Sequence, residues 1–454
     1  MSTVSVASDA GAARLLGAPV LPTLLRLSAP GVLLVVFQTM ISIGDTYFVS
    51  RLGTVPLAGL ALVFPLIMLL QMTSAGAMGG GVSSAIARAL GAGDLAAARR
   101  LLVHALAIAL ALGLAFTLLF GVFGRAVYIL LGGSGATLEH ALAYSNVVFG
   151  GAVMVWLANT LASVLRGTGN MLVPALALSA AACVHVPLSA SLVLGLGPMP
   201  RLGIAGAGVA YVTTFSLSCL AMSIVVFRPL SLLRPRIGDL RFERRQFRDI
   251  LRVGGISVIS SVQTVLTAVV LTGFVGRFGA PALAGYGVGL RLDLLQMPLV
   301  FAVGQAMVAL VGTHVGAGHG LRAKRIAFTG AALACAISLA IGIAVTVYPQ
   351  GWVGLFSADP GVLDAGTRYL RTVGLCYPFL ALGLALYFAS QGAGEVLLPV
   401  LAGTVRLAIV IGGGAAVFAF GAGLGAVFAV IAVGMITFGT LTGLAVSRTV
   451  WGVR

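Results

Sequence analysis

Twelve apolar segments, each about as long as a membrane-spanning helix, follow one another along the chain. A helix needs ~20 mostly apolar residues to cross the hydrocarbon core of a bilayer. Only 8% of the residues are charged, whereas about a quarter are charged in a typical soluble domain. We therefore predict an all-α polytopic membrane protein with twelve transmembrane helices. The predicted spans are 23–49, 56–80, 100–123, 139–164, 171–195, 204–227, 253–276, 282–311, 326–348, 366–389, 397–420 and 424–447.

The second half of the chain repeats motifs of the first half. The segment FVSRLGTVPLAG at 48–59 returns as FVGRFGAPALAG at 274–285, with seven of twelve positions identical. Gly-Ala-Gly also occurs at both 91–93 and 316–318, and each copy lies six predicted spans from its partner. An even offset preserves the direction of the helices. The sequence thus predicts two parallel six-helix repeats around a central cleft.

The repeats divide the chain into two lobes with short flanking segments. We expect an N-terminal tail (1–22), an N-lobe with the first six spans (23–228), a linker (229–252), a C-lobe with the last six spans (253–448) and a C-terminal tail (449–454). The N-terminal segment has no compact apolar core followed by a cleavage site. We interpret it as a cytoplasmic tail and not as a signal peptide.

Basic residues are concentrated on one side of the predicted topology. Nineteen Lys and Arg fall on the side of the termini and six on the other side, and eight of the nineteen lie between Arg228 and Arg252. Cytoplasmic loops show this bias, which explains the net charge of +16 better than nucleic-acid binding does. We predict a multi-pass protein of the cytoplasmic (inner) membrane with both termini in the cytoplasm. The four Cys form no CxxC motif, so neither a disulfide framework nor a zinc site is indicated.

Two acidic residues lie inside predicted spans, away from the span ends. They are Asp45 and Asp293, out of eleven Asp and Glu in the chain. An acid at the bilayer centre costs roughly 2.5–3.5 kcal/mol on insertion scales, so such acids are typically functional. Asp45 has no counterpart in the second half, where Leu271 takes the matching position. Gln38 and Ser42 precede Asp45 by seven and three residues, which predicts that the three share one helix face.

Several motifs, in a matching order in the two halves, resemble those of one transporter family. They are Pro30 with Asp45, FVSRLGTVPLAG, ARALGAGDLAAARR, RGTGN with Pro174 and LGLGPMPRLGIAGAG, then GRFGAPALAGYGVGLRLD, GQAMVALVGTHVGAG and QGAGE. Together they resemble the multidrug and toxic compound extrusion (MATE) family of the multidrug/oligosaccharidyl-lipid/polysaccharide flippase superfamily. The resemblance implies a twelve-helix secondary transporter that exports organic compounds, driven by a proton or a sodium gradient.

The resemblance also implies a coupling site in the N-lobe. In the family, a proline and an aspartate spaced like Pro30 and Asp45 link bending of the first helix to binding of a cation or a proton. The alternative for Asp45 is a neutral, hydrogen-bonded structural acid.

The fifth span departs from the family pattern. The most similar branch usually has Asn and, four residues later, Asp, where this chain has His185 and Ser189 on one helix face. A histidine changes its charge near neutral pH, so we expect His185 to share a proton with Asp45. The alternative is a neutral histidine bonded to a backbone carbonyl group. The missing second acid removes a hard ligand and weakens a sodium site more than a proton site. Tyr211 stands near a threonine position of the family.

The C-lobe offers a second charged pair. Asp293 matches a position that is often acidic in the family, and Arg406 lies where the family tends to carry Arg. A structural ion pair and a substrate contact remain equally open for these two residues. Another branch of the family has an acid where this chain reads Gln263-Thr264, so we expect no second cation site there.

These observations predict a secondary active antiporter and not an enzyme. We expect export of amphipathic, cationic organic compounds by alternating access, coupled to influx of protons, with sodium as the alternative ion and no other cofactor. The expected partners are small-molecule substrates and membrane lipids, with the chain as a monomer. The alternative function is a flippase for a lipid-linked precursor. Flippases usually line the cleft with several basic residues, whereas only Arg291 and Arg406 lie in the interior of the predicted spans, away from the span ends.

Overall fold

The computed structural model describes residues 15–452, which form helices joined by short loops, without a β-strand in that range. A π-helix at Met72–Met78 joins α2 to α3, and short 3₁₀ turns occur at Ile237–Leu240 and Gly374–Cys376. The helices are α1 (Val20–Ser50), α2 (Thr54–Gln71), α3 (Gly79–Gly91), α4 (Leu95–Leu130), α5 (Gly135–Gly150), α6 (Ala152–Gly167), α7 (Leu172–Leu194), α8 (Ile204–Phe227), α9 (Arg244–Gly276), α10 (Ala280–Gly316), α11 (Gly320–Val347), α12 (Pro349–Val353), α13 (Pro360–Val373), α14 (Tyr377–Ala393), α15 (Leu397–Ala419) and α16 (Leu424–Arg448).

Within the described range, eleven helical stretches are long and apolar enough to cross a membrane. The number rises to twelve when the pair α5–α6, bent by 49°, counts as one span. The second span runs from Thr54 to Gly91 through the π-helix, and the tenth combines α13 with α14. The predicted all-α polytopic fold with twelve spans is confirmed.

Several helices extend beyond the predicted spans. Helix α4 covers Leu95–Leu130, where the prediction was 100–123, and α9 begins at Arg244, inside the predicted linker 229–252. Apolar runs measure only the part of a helix that lies in hydrocarbon, whereas charged turns at its ends continue the helix into the interface. Residues 1–14 of the predicted N-terminal tail and residues 453–454 lie outside the described residues.

Each lobe has an apolar core, and α1 contributes to both. Val49, near the end of α1, belongs to the N-lobe core around Trp156. Leu24, near the start of α1, belongs to a C-lobe cluster with Met307 of α10. A Cβ atom on Gly31 would lie 2.8 Å from the Cβ atom of Ala302, so α1 and α10 touch at that point. The predicted N-lobe 23–228 therefore includes one helix that also packs on the C-lobe.

The lobes meet at one end of the molecule, which we call the basic end. It comprises the loops 92–94, 168–171, 317–319 and 394–396 together with the segment 228–243 between α8 and α9.

Two glycines from the repeated Gly-Ala-Gly motifs form a reciprocal contact at the basic end. A Cβ atom on Gly91 would lie 2.0 Å from the carbonyl oxygen of Thr313, and one on Gly316 would lie 2.1 Å from the carbonyl oxygen of Arg88. Each glycine thus contacts the residue three positions before the other. A contact in which each partner repeats the other's role is what a two-fold axis produces. The contact supports the predicted parallel relation of the two repeats.

Polar contacts also join the lobes at the basic end. The Arg88 guanidinium of α3 donates to the Asp249 carboxylate of α9 at 2.7 Å. The Ser84 hydroxyl donates to the backbone carbonyl of Gln391, and Arg88 donates to the same hydroxyl. The Gln391 amide reaches back across the interface to the Gly76 carbonyl at 3.3 Å. The molecule is therefore closed at the basic end.

Candidate functional site

Three helices of the N-lobe bring buried polar side chains together. Asp45 lies on the half of α1 that packs against α7, and its side chain is 9% exposed. His185 and Ser189, one helical turn apart on α7, are 1% and 0% exposed. Thr214 of α8 is also buried. Because buried polar groups require partners, the hydrogen bonds among these four side chains define the site.

The Asp45 carboxylate accepts contacts from both α7 residues. His185 Nε2 lies 2.9 Å from Asp45 Oδ1, and Ser189 Oγ donates to the same oxygen at 2.5 Å. The spacing of four residues predicted that these two side chains share one face of α7. His185 does not adopt the alternative predicted for it, because its ring nitrogens contact side chains and not a backbone carbonyl. The other ring nitrogen, Nδ1, lies 2.9 Å from Thr214 Oγ1.

Gln38 does not join the site. The sequence placed it on the same helix face as Asp45, but its side chain is exposed, and so is that of Ser42. Seven residues along a helix correspond to a rise of about 10 Å, too far for a direct contact. Pro30 lies closer to the start of the same helix, directly before Gly31, which contacts α10. A shared helix face therefore does not bring Gln38 into contact with Asp45.

A second polar chain, which the sequence analysis missed, begins beside the site. The Gln71 amide donates to the Tyr211 hydroxyl at 2.5 Å, and the Asn159 amide donates to Gln71 at 3.0 Å and to the Ser74 hydroxyl at 2.8 Å. Gln71 directly precedes the π-helix Met72–Met78, and such widened turns frequently occur at functional sites. Tyr211 also lies within electrostatic range of Asp45. The chain thus connects the neighbourhood of Asp45 to the π-helix.

In the C-lobe, Asp293 and Arg406 are close enough to interact electrostatically but do not form an ion pair. Six ion pairs occur in the described part of the chain, and this pair is not among them. The Asp293 carboxylate accepts a hydrogen bond from Gln296 at 3.4 Å. The Arg406 guanidinium lies over the ring of Phe438, 5.8 Å from its centroid. The predicted ion-pair contact is therefore absent from this structure.

We expect Asp293→Asn to be expressed and folded like the parent protein, because the substitution leaves no direct ionic partner of Arg406 unpaired. In a double-mutant cycle with Arg406→Gln, the coupling free energy should stay well below the roughly 3–5 kcal/mol that removal of one partner costs in a buried ion pair. Thermal unfolding of the four detergent-solubilised proteins measures this coupling. A large loss of stability in Asp293→Asn that Arg406→Gln restores would show that the two residues do pair.

A family model described as MatE matches residues 30–190 and 257–414 of the chain, one stretch in each lobe. The sequence is also similar to a protein of Shewanella oneidensis named FAD transporter, with 26% identity over 83% of this chain and 82% of that protein. A protein of Thermotoga maritima named probable multidrug resistance protein NorM is 24% identical over 83% of this chain and 81% of its own length. The multidrug export protein MepA of Staphylococcus aureus is 23% identical over 86% of both chains.

Solved structures share the fold. A transporter of the MOP superfamily from Pyrococcus furiosus superimposes with a TM-score of 0.88 at 24% identity, over 96% of this chain and 98% of that chain. A multidrug resistance transporter solved in an outward-facing conformation gives a TM-score of 0.87 at the same identity and coverage. These likenesses establish the arrangement of the helices.

Proposed function

Because the chain belongs to the MatE family, we propose that it is an antiporter that exports amphipathic, cationic organic compounds across the cytoplasmic membrane in exchange for protons. Two relatives carry names that refer to multidrug resistance or export, which supports organic compounds as the exported class. Two lobes that meet at one end support transport by alternating access.

The contact between Asp45 and His185 carries this proposal. The two groups lie 2.9 Å apart, and both are more than nine-tenths buried. An acid and a histidine at this distance can share one proton, which either group can carry. Because a buried charge requires compensation by its neighbours, a change in the charge of the pair must change its contacts.

The ligands around Asp45 favour a proton over sodium. A hard cation prefers several oxygen ligands, whereas imidazole suits softer metals. The oxygen Oδ1 of Asp45 already contacts the imidazole of His185 and the hydroxyl of Ser189. A sodium ion would have to displace His185, while a proton fits between the two groups as they stand.

Helix α1 offers a path from this site to the lobe interface. The half that carries Asp45 packs on α7, and the half around Gly31 packs on α10 of the other lobe. Pro30 removes one backbone hydrogen bond beside that contact and allows the helix to bend there. Uptake or release of a proton that changes the contacts between Asp45 on α1 and α7 can therefore also change the contact of α1 with the other lobe.

The alternative flippase function has less support. A lipid pyrophosphate would require several basic groups along the cleft. Arg406 lies over Phe438, and Arg291 lies 4.7 Å from the ring centroid of Phe356, so both guanidinium groups already rest on aromatic rings of the C-lobe.

Uptake into inverted membrane vesicles tests the proposed function. With an acidic lumen, we expect a fluorescent lipophilic cation to accumulate, because protons leave the lumen as the compound enters. A sodium gradient of equal size should cause no accumulation, and a protonophore should release the compound. A neutral dye and the anion FAD serve as comparison substrates. Accumulation driven by sodium alone would refute proton coupling, and accumulation of FAD alone would refute the proposed substrate class.

A further inference from the structure

We propose that Thr214 is a positioning residue that fixes the proton of His185 on Nδ1, so that the contact between His185 and Asp45 holds only when the pair carries one further proton. The inference rests on the proton coupling proposed above. It concerns a residue on α8 that does not touch Asp45 and that no sequence motif marks.

The first step is the direction of the hydrogen bond at Thr214. A threonine hydroxyl has a single hydrogen. Thr214 Oγ1 lies 2.8 Å from the backbone carbonyl oxygen of Ala210, which can only accept, so the hydroxyl hydrogen points to that oxygen. The lone pairs of Thr214 Oγ1 remain for His185 Nδ1 at 2.9 Å. Nδ1 must then be the donor and carry a hydrogen.

The second step concerns the other ring nitrogen. With a hydrogen on Nδ1, a neutral His185 presents a bare lone pair at Nε2, which faces Asp45 Oδ1 at 2.9 Å. A hydrogen bond at this distance needs one proton between the two atoms. That proton belongs either to an imidazolium beside a carboxylate or to a carboxylic acid beside a neutral imidazole. In both forms the pair holds one proton in addition to the hydrogen on Nδ1.

Removal of that proton leaves two lone pairs facing each other. Ser189 cannot relieve the contact, because its single hydrogen is already directed to Asp45 Oδ1 at 2.5 Å. The structure therefore represents the proton-loaded site, and release of the proton separates α1 from α7 at this point. Without Thr214, a neutral His185 could carry its hydrogen on Nε2 and hold Asp45 without any further proton.

Few other charged or titratable groups lie close enough to compensate the change in the charge of the Asp45–His185 pair. Helices α7 and α8 carry no Asp, Glu, Lys or Arg. Tyr144 of α5 and Tyr211 of α8 lie within electrostatic range of Asp45. On α10, which packs against the other half of α1, Arg291 rests on Phe356 and Asp293 accepts from Gln296.

Nitrogen-15 NMR of histidine-labelled protein in lipid tests the tautomer directly. His185→Asn identifies the His185 signals by their disappearance. In the parent protein we expect Nδ1 to stay protonated at every pH, while Nε2 alone changes with pH. In Thr214→Val the neutral ring should carry its hydrogen largely on Nε2, and Thr214→Ser should restore the parent spectrum. Neutral parent protein with its hydrogen on Nε2 would overturn the inference.

Transport supplies the second readout. Thr214→Val should flatten the dependence of dye uptake on lumenal pH, whereas Thr214→Ser should keep the parent profile. Thr442→Val is the matched control, because Thr442 is fully buried and its hydroxyl bonds only the Phe438 carbonyl, as far as the described contacts extend. A parent-like profile in Thr214→Val would also overturn the inference. If NMR finds the expected tautomer but vesicles show no proton-driven uptake, the proposed function fails while the role of Thr214 stands.

Discussion

Asp45→Asn should reduce uptake driven by a pH gradient to the level of vesicles that lack the protein. An amide neither binds nor releases a proton near neutral pH, and a protonated His185 would lose the carboxylate that neutralises its charge, so the pair no longer takes up a proton. The protein should still fold, because an Asn nitrogen at the position of Oδ1 can donate one hydrogen to the bare Nε2 of His185 and the other to the hydroxyl oxygen of Ser189. The variant should thus resemble the proton-loaded state and remain in it.

The measurement compares dye uptake in inverted vesicles at equal protein levels. Asp364→Asn serves as the control, because Asp364 is an exposed acid that pairs only with Arg368 one turn away on α13 among its described contacts. This control should transport like the parent protein, since exposed pairs of this kind contribute little. Substantial proton-driven uptake by folded Asp45→Asn would mean that another group couples transport to protons.

The sequence predicted the parts of this site that lie on one helix, and it predicted less well the parts that lie between helices. A spacing of four residues placed His185 and Ser189 on one face of α7, and both contact Asp45. The sequence did not predict Thr214 as part of the site, because a threonine inside a helix usually donates its hydroxyl hydrogen to its own helix backbone, as this one also does. Its second contact depends on how α8 packs on α7, which periodicity does not reveal.

The same limit explains the other differences. Hydropathy located the twelve spans but ended some of them too early, as for α4 and α9, since it does not register charged helical turns outside the hydrocarbon. It also could not show that α1 packs on both lobes, because an apolar face fits either core equally well. The Asp293–Arg406 pair was one of two alternatives drawn from the family positions of these residues, whereas in the structure Asp293 accepts a hydrogen bond from the neutral Gln296.

The repeated Gly-Ala-Gly motifs, in contrast, have a structural role that follows from their contacts. We expect Gly316→Ala to open the basic end, because the new Cβ atom would lie 2.1 Å from the Arg88 carbonyl oxygen. Backbone cannot rotate away as a side chain can, so α3 and α10 must separate. Gly91→Ala should have the same effect, because its new Cβ atom would lie too close to the Thr313 carbonyl oxygen. Overpacking of this kind costs about 1–3 kcal/mol, which corresponds to a roughly 5- to 150-fold shift between closed and open forms.

A single cysteine measures the opening. In a background with the four native Cys replaced, Ser84→Cys places a thiol at a position with 0% exposure between the lobes. Gly316→Ala should raise its rate of reaction with a membrane-impermeant thiol reagent, applied from the basic end, by at least about fivefold. Gly255→Ala, on the neighbouring helix α9, is the control. Its new Cβ atom would meet nothing within 4 Å. Because the two glycine contacts are related by the repeat, Gly91→Ala must produce the same direction of change. Equal rates in all three variants would show that the glycine contacts do not hold the lobes together.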